Sequence, residues 1–178
     1  MKHTFSILRR FLRDEHGTLT MEFLLWLPLL AFWFVVSVVF YDAYKSRNDA
    51  AKATHTLSDI MSRQVEVSDA YINDLALLEQ KLLPRVSSGH KLRISSIQYA
   101  NNAYTVLWSR AIGGGLPLTS AEIDPNFIPQ MADFDTVIVT EVSVPFVPFA
   151  DWVGIQARSW SFALVTRPRF VSQIAMIP

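Results

Sequence analysis

The chain of 178 residues has no cysteine. That excludes disulfide scaffolds, cysteine-ligated zinc or iron–sulfur sites, and thiol nucleophiles. It has no excess of either charge: 16 Lys+Arg balance 16 Asp+Glu, so no bulk basic field points to nucleic acid. His3, His16, His55 and His90 are scattered, and none falls in a tight ligand spacing, so no metal site and no cofactor is expected. There is no Gly-x-Ser-x-Gly elbow to signal nucleophilic catalysis, and the chain reads as a non-enzyme. Three of its 6 glycines stand together at Gly113, Gly114 and Gly115, but no Gly-Lys-Ser/Thr follows to make a phosphate loop.

Charge is also missing locally. Between Glu22 and Asp42 no residue is ionisable as an acid or base at neutral pH. As an α-helix, residues 18–41 would extend roughly 36 Å at about 1.5 Å per residue. That exceeds the roughly 30 Å hydrocarbon core of a bilayer. A helix on a soluble protein would carry a polar face, and this run has none. A cleaved secretory signal would have a shorter apolar core ending in a small-residue site, and Phe40-Tyr41-Asp42 is not one. The stretch is therefore expected to be a single transmembrane helix in contact with membrane lipid. Pro28 is compatible with it, because neighbouring helices and local adjustments re-satisfy a freed carbonyl.

Lys2, Arg9, Arg10 and Arg13 precede the span, and Lys45, Arg47 and Lys52 follow it. The balance places the N-terminus inside and the longer C-terminal part outside. Ile7, Leu8, Phe11 and Leu12 share one helical face in this leader, which suits a segment lying on anionic headgroups. The expected organisation is a basic cytoplasmic leader over 1–17, a transmembrane helix over 18–41 and an extracytoplasmic domain over 42–178.

Residues 42–67 are expected to continue the helix, with Ala53, Leu57, Ile60 and Met61 at helical spacing. Ser68 and Asp69 offer an N-cap for a second helix over 70–83, stopped by Pro84. Ile72, Leu75, Leu78 and Leu82 form its expected buried stripe, leaving Asp74, Glu79 and Lys81 for solvent. Strands are expected over 91–99 and 104–112 around an Asn101-Asn102 turn. A loop over 113–133 follows, either a surface excursion or a partner-facing element. A strand over 135–144 puts Ile138, Thr140, Val142 and Val144 on one face and ends at Pro145 and Pro148. The last strand spans 156–166, with Trp160, Phe162 and Leu164 on one face. Phe146, Phe149 and Trp152 either cover a sheet edge or, if exposed, form a partner patch. The fold class is α+β: a transmembrane helix running into a soluble domain with a second helix and about four antiparallel strands.

One motif sharpens the functional reading. Glu22 stands one turn inside the apolar span, where a carboxylate is costly and needs a partner or an exit to water. A basic leader ending in Gly17, Glu22 at the fifth position after it and an unbroken apolar helix resemble the class III signal of type IV prepilins and pseudopilins. The stretch from Asp14 to Phe23, followed by Leu27-Pro28-Leu29-Leu30, looks like the TadE/TadG-like family, the minor pseudopilins of the tight-adherence (Flp) pilus. His16 stands where arginine is more usual. The resemblance covers about the first forty residues. It implies cleavage between Gly17 and Thr18 by a prepilin peptidase on the cytoplasmic side. It further implies a bacterial inner-membrane protein with a pilin-like periplasmic domain, associated with a pilus. Its partners would be that peptidase, the major pilin, other pseudopilins and the inner-membrane assembly platform. Glu22, with Phe23 beside it, would then set register: its carboxylate could meet the Thr18 amine of a neighbouring subunit, an opposite charge that offsets desolvation. Two readings of other classes stay open: a permanently anchored binding module outside any fibre, and an anchored enzyme.

Overall fold

The computed structural model describes residues 18–83 and 89–178. The 1–17 leader with Gly17, and the expected helix stop at Pro84, lie outside the described residues. The chain divides into two units, Met1–Tyr41 and Asp42–Pro178.

Helix α1 spans Thr18–Ser62 and contains Pro28. It stops short of the expected residue 67, and no glycine or proline marks the stop. Its last carbonyls are satisfied instead from outside the helix and from the following turn. Arg169 N–H donates to the Ser62 carbonyl at 2.8 Å, and Gln64 N–H donates to that of Met61 at 3.1 Å. Asp59 then holds both Arg63 and Arg169, at 2.8 and 2.7 Å. Free terminal carbonyls need such partners, and here a distant segment supplies one of them.

The chain continues into a short strand, β1 (Glu66–Ser68), and then helix α2 (Asp69–Leu82). Ser68 caps α2 as expected, accepting from Tyr71 N–H at 3.2 Å. Its buried face differs from the expected stripe. Ile72, Leu75, Ala76 and Glu79 are inside, whereas Leu82 is exposed. Positions i, i+3, i+4 and i+7 make one helical face, so geometry places residue 79 inward although its side chain is charged. The expected series through Leu78 and Leu82 drifts off that face.

Four antiparallel strands follow: β2 (Lys91–Ala100), β3 (Ala103–Ile112), β4 (Thr136–Phe146) and β5 (Arg158–Thr166), in spatial order β3-β2-β4-β5. Asn101 and Asn102 both have positive φ, the geometry of a tight hairpin turn that asparagine tolerates. The β2–β3 register shifts between Ser96 and Ile97, a bulge. Pro145 does not end β4. It pairs with Ser159 of β5, beyond Ser143, the last residue of β4 paired with β2, so the β2 ladder asks no N–H of it. A sixth strand, β6 (Ala175–Ile177), pairs in parallel with β1 and has no counterpart in the sequence reading.

The two helices cover one face of the sheet, and the 113–133 segment covers part of the other. On one side Ile94, Trp108, Ile138, Val142 and Val144 pack with Ala53, Leu57 and Met61 of α1 and with Ile72 and Leu75 of α2. Burying each of the larger aliphatic side chains contributes about 1.5–3 kcal/mol. Trp108 also donates its indole N–H to the Ile174 carbonyl at 2.9 Å, tying β3 to the segment before β6. On the other side Ile97, Val137 and Val139 pack with Ile128, and Leu118, Ile123 and Met131 join them from the 113–133 segment. That segment is a layer of the core, and Gly113 starts it. A Cβ at Gly113 would lie 1.8 Å from the His90 carbonyl oxygen, and its φ of +81° suits glycine alone.

Candidate functional site

The first feature is the apolar part of α1. Met21, Phe23, Leu24, Leu25, Trp26, Leu27, Leu29 and Leu30 are all exposed, as is Pro28 among them. Among the described residues this is one helix long and apolar enough to cross a membrane. Exposure of so many large apolar side chains in succession suits a lipid surround, not water. Glu22 lies on this exposed surface. Thr18 and Glu22 both lie in the described helix, one turn apart, which is the i+4 spacing of the expected register pairing. Gly17, the other half of the expected processing site, is outside the described residues.

The second feature is a pair that the sequence did not announce. Glu79 is 1% exposed and His90 is 7% exposed, and Glu79 Oε1 lies 3.5 Å from His90 Nδ1. Burial pushes the Glu79 carboxyl above its ordinary value, and the charge and hydrogen bonding of His90 pull it partway back. The two lie eleven residues apart and belong to different elements, so only the fold brings them together. The usable signal was the helical face of α2, read through its polar residue.

The third feature is the half of the outer sheet face that the 113–133 segment leaves open. Arg93 and Glu141 bridge β2 and β4 there, with Nη2 to Oε1 at 2.8 Å and Nε to Oε2 at 2.5 Å. Arg93 Nη1 also donates to the Leu116 carbonyl at 3.3 Å. Two grooves flank the bridge. One of about 310 Å³ is lined by Lys91, Leu116, Ser143, Ser161 and Phe162. The other, about 250 Å³, lies against Glu122, Asp124 and Phe127. With its charges engaged in a bidentate pair, the bridge is built to hold two strands together first.

The expected aromatic patch is split by the structure. Phe146 is buried and packs against Trp160 at a centroid distance of 5.9 Å, so it serves the core. Phe149 and Trp152 are exposed, at 62% and 63%, on the connection between β4 and β5. No group of three or more acidic or histidine side chains is placed to hold a metal among the described residues.

Comparison with known protein families, curated proteins and solved structures finds no match for this chain.

Proposed function

We propose that this chain is a minor pseudopilin-like, membrane-anchored subunit that takes part in assembling a tight-adherence (type IVc) pilus or a related secretion system. The observation that carries the reading is Glu22, a lone carboxylate on the exposed face of an apolar helix, one turn along from Thr18. A carboxylate there costs a few kcal/mol at mid-membrane and less near the interface. An amine on an adjacent parallel helix offsets part of that cost and does so at one register only. The continuous run of α1 from an apolar stretch into an α+β domain supports the same reading. On it, Thr18 becomes the N-terminus after cleavage behind Gly17, the leader stays cytoplasmic and the domain lies on the periplasmic side of the inner membrane. The prepilin peptidase, the major pilin, other pseudopilins and the assembly platform are its partners, and the chain performs no catalysis of its own.

Two measurements test this. The mass of protein purified from membranes should correspond to a chain starting at Thr18; an intact leader would refute processing while leaving the anchor standing. Glu22→Ala should insert normally and reduce pilus production; undiminished pili would remove Glu22 from the assigned role. A second reading, an anchored binding module outside any fibre, draws on the two grooves beside Arg93 and Glu141. It predicts unchanged pili in a deletion strain.

A further inference from the structure

The connection between β4 and β5 exposes Val147, Phe149 and Trp152, at 75%, 62% and 63%. Three large apolar side chains within a six-residue stretch are unusual on a surface facing water. A single-turn 3₁₀ helix, Asp151–Val153, presents Trp152, and Gly154 closes it with a φ of 98°.

Where this connection lies follows from contacts inside the Asp42–Pro178 unit. Arg47 of α1 sits over the Phe162 ring at 5.9 Å, and Ser58 of α1 meets Thr166 at 2.9 Å. From Arg47 to Ser58 the helix advances about 16 Å at about 1.5 Å per residue. From Phe162 to Thr166 the strand advances about 13 Å at about 3.3 Å per residue. The two advances agree, so β5 runs alongside α1 in the same direction. Going backwards from Phe162 to Arg158 therefore covers about another 13 Å toward the Asp42 end of this unit. Asp42 itself is only about 7–8 Å from Arg47 along the helix. The β4–β5 connection thus reaches the end of the unit at which the chain comes out of its apolar stretch.

Charge at that end suits a lipid headgroup layer. Lys45, Arg47 and Arg158 are exposed there, with Arg158 also stacked 4.6 Å over the Trp160 ring. The acidic residues at that end of α1 and on the connection are Asp42, which is buried, Asp49, which is half-buried, and Asp151, which is exposed. Aromatic residues flanked by basic ones are the side chains that settle at a membrane–water boundary.

We propose that the β4–β5 connection is a second membrane contact, in which Val147, Phe149 and Trp152 enter the interfacial layer of a phospholipid bilayer and lay the domain against it. The proposal rests on the reading of α1 as a membrane span, so the test separates the two. The cysteine-free chain accepts a single nitroxide label at any engineered cysteine. Full-length protein is labelled singly at Val147→Cys, Phe34→Cys or Ala103→Cys and reconstituted in vesicles of phosphatidylcholine and phosphatidylglycerol. Phe34 lies in the apolar stretch, and Ala103 lies by the β2–β3 hairpin at the opposite end of the sheet. The Val147→Cys label should be reached by oxygen and shielded from a water-soluble nickel complex, at a depth of about 5–10 Å below the headgroup boundary. The Ala103→Cys label should be open to nickel, and the Phe34→Cys label deeper than either. Adding Phe149→Ser and Trp152→Ser should return the Val147→Cys label to water. A Val147→Cys label as open to nickel as that of Ala103→Cys, with Phe34→Cys still embedded, overturns the proposal and keeps the span. A Phe34→Cys label in water overturns both. Shielding from nickel accompanied by spin–spin broadening would mean contact with a second copy, and also overturns it.

Discussion

At Glu79 the chain accepts a cost. The carboxyl is enclosed by α2 and the segment leading into β2, and burial raises its proton affinity in the folded state. A group shifted this way contributes stability while protonated, in full below the ordinary carboxylate range. That contribution is lost as pH rises through the raised value. Glu79→Gln removes the dependence and keeps the shape. The melting temperature of Glu79→Gln should therefore gain on the wild type as pH is raised from the acid side toward neutrality. A constant difference across that range would show that His90 compensates the burial in full. The case also marks the limit of residue-type reasoning: charge assigns Glu79 to solvent, whereas helical spacing from Ile72, Leu75 and Ala76 puts it inside.

At the scale of elements, the legible parts were those set by neighbours in sequence. Ser68 capping α2, the Asn101-Asn102 turn, the alternation of Ile138, Thr140, Val142 and Val144, and the uncharged run before Asp42 are local patterns, and the structure keeps each of them. The parts set by distant partners were not legible. Ser62 ends α1 because Arg169 reaches its carbonyl, and β1 exists only because β6 comes to lie beside it. The 113–133 segment looked like a loop, yet Leu118, Ile123, Ile128 and Met131 hold it on the sheet. Its apolar residues are spaced irregularly because glycine and proline turns, not strand or helix geometry, deliver them. Ile128→Asp places a charge in that layer and forfeits packing worth about 2–5 kcal/mol. It should open 113–133 to limited proteolysis while the helix-facing side of the sheet stays protected. Equal resistance of variant and wild type would show that this layer is not held by Ile128.

For the whole molecule the apolar half of α1 sets the behaviour in water. Its side chains are exposed along Met21–Leu30, so a full-length chain should stay with membranes through alkaline extraction and leave only with detergent. Recovery in the aqueous fraction without detergent would remove the anchor, and with it the proposed role in pilus assembly. The functional proposal rests on the first part of the chain alone, where an apolar helix, a carboxylate and a preceding glycine stand at fixed spacing in the sequence. The domain beyond Asp42 showed its fold in its periodicity, and among its described residues the pairs Arg93–Glu141 and Asp59–Arg169 tie its elements together.

The parallel pairing of β1 with β6 has a consequence for how the molecule is made. Glu66 emerges from the ribosome well before its distant partner Ala175. Trp108 and Ser62 likewise wait for Ile174 and Arg169. Contacts so far apart in sequence are slow to close. Until they do, the far end of α1 has no lid, and a chain stalled at that stage would expose Leu57 and Met61 to whatever chaperone stands nearby.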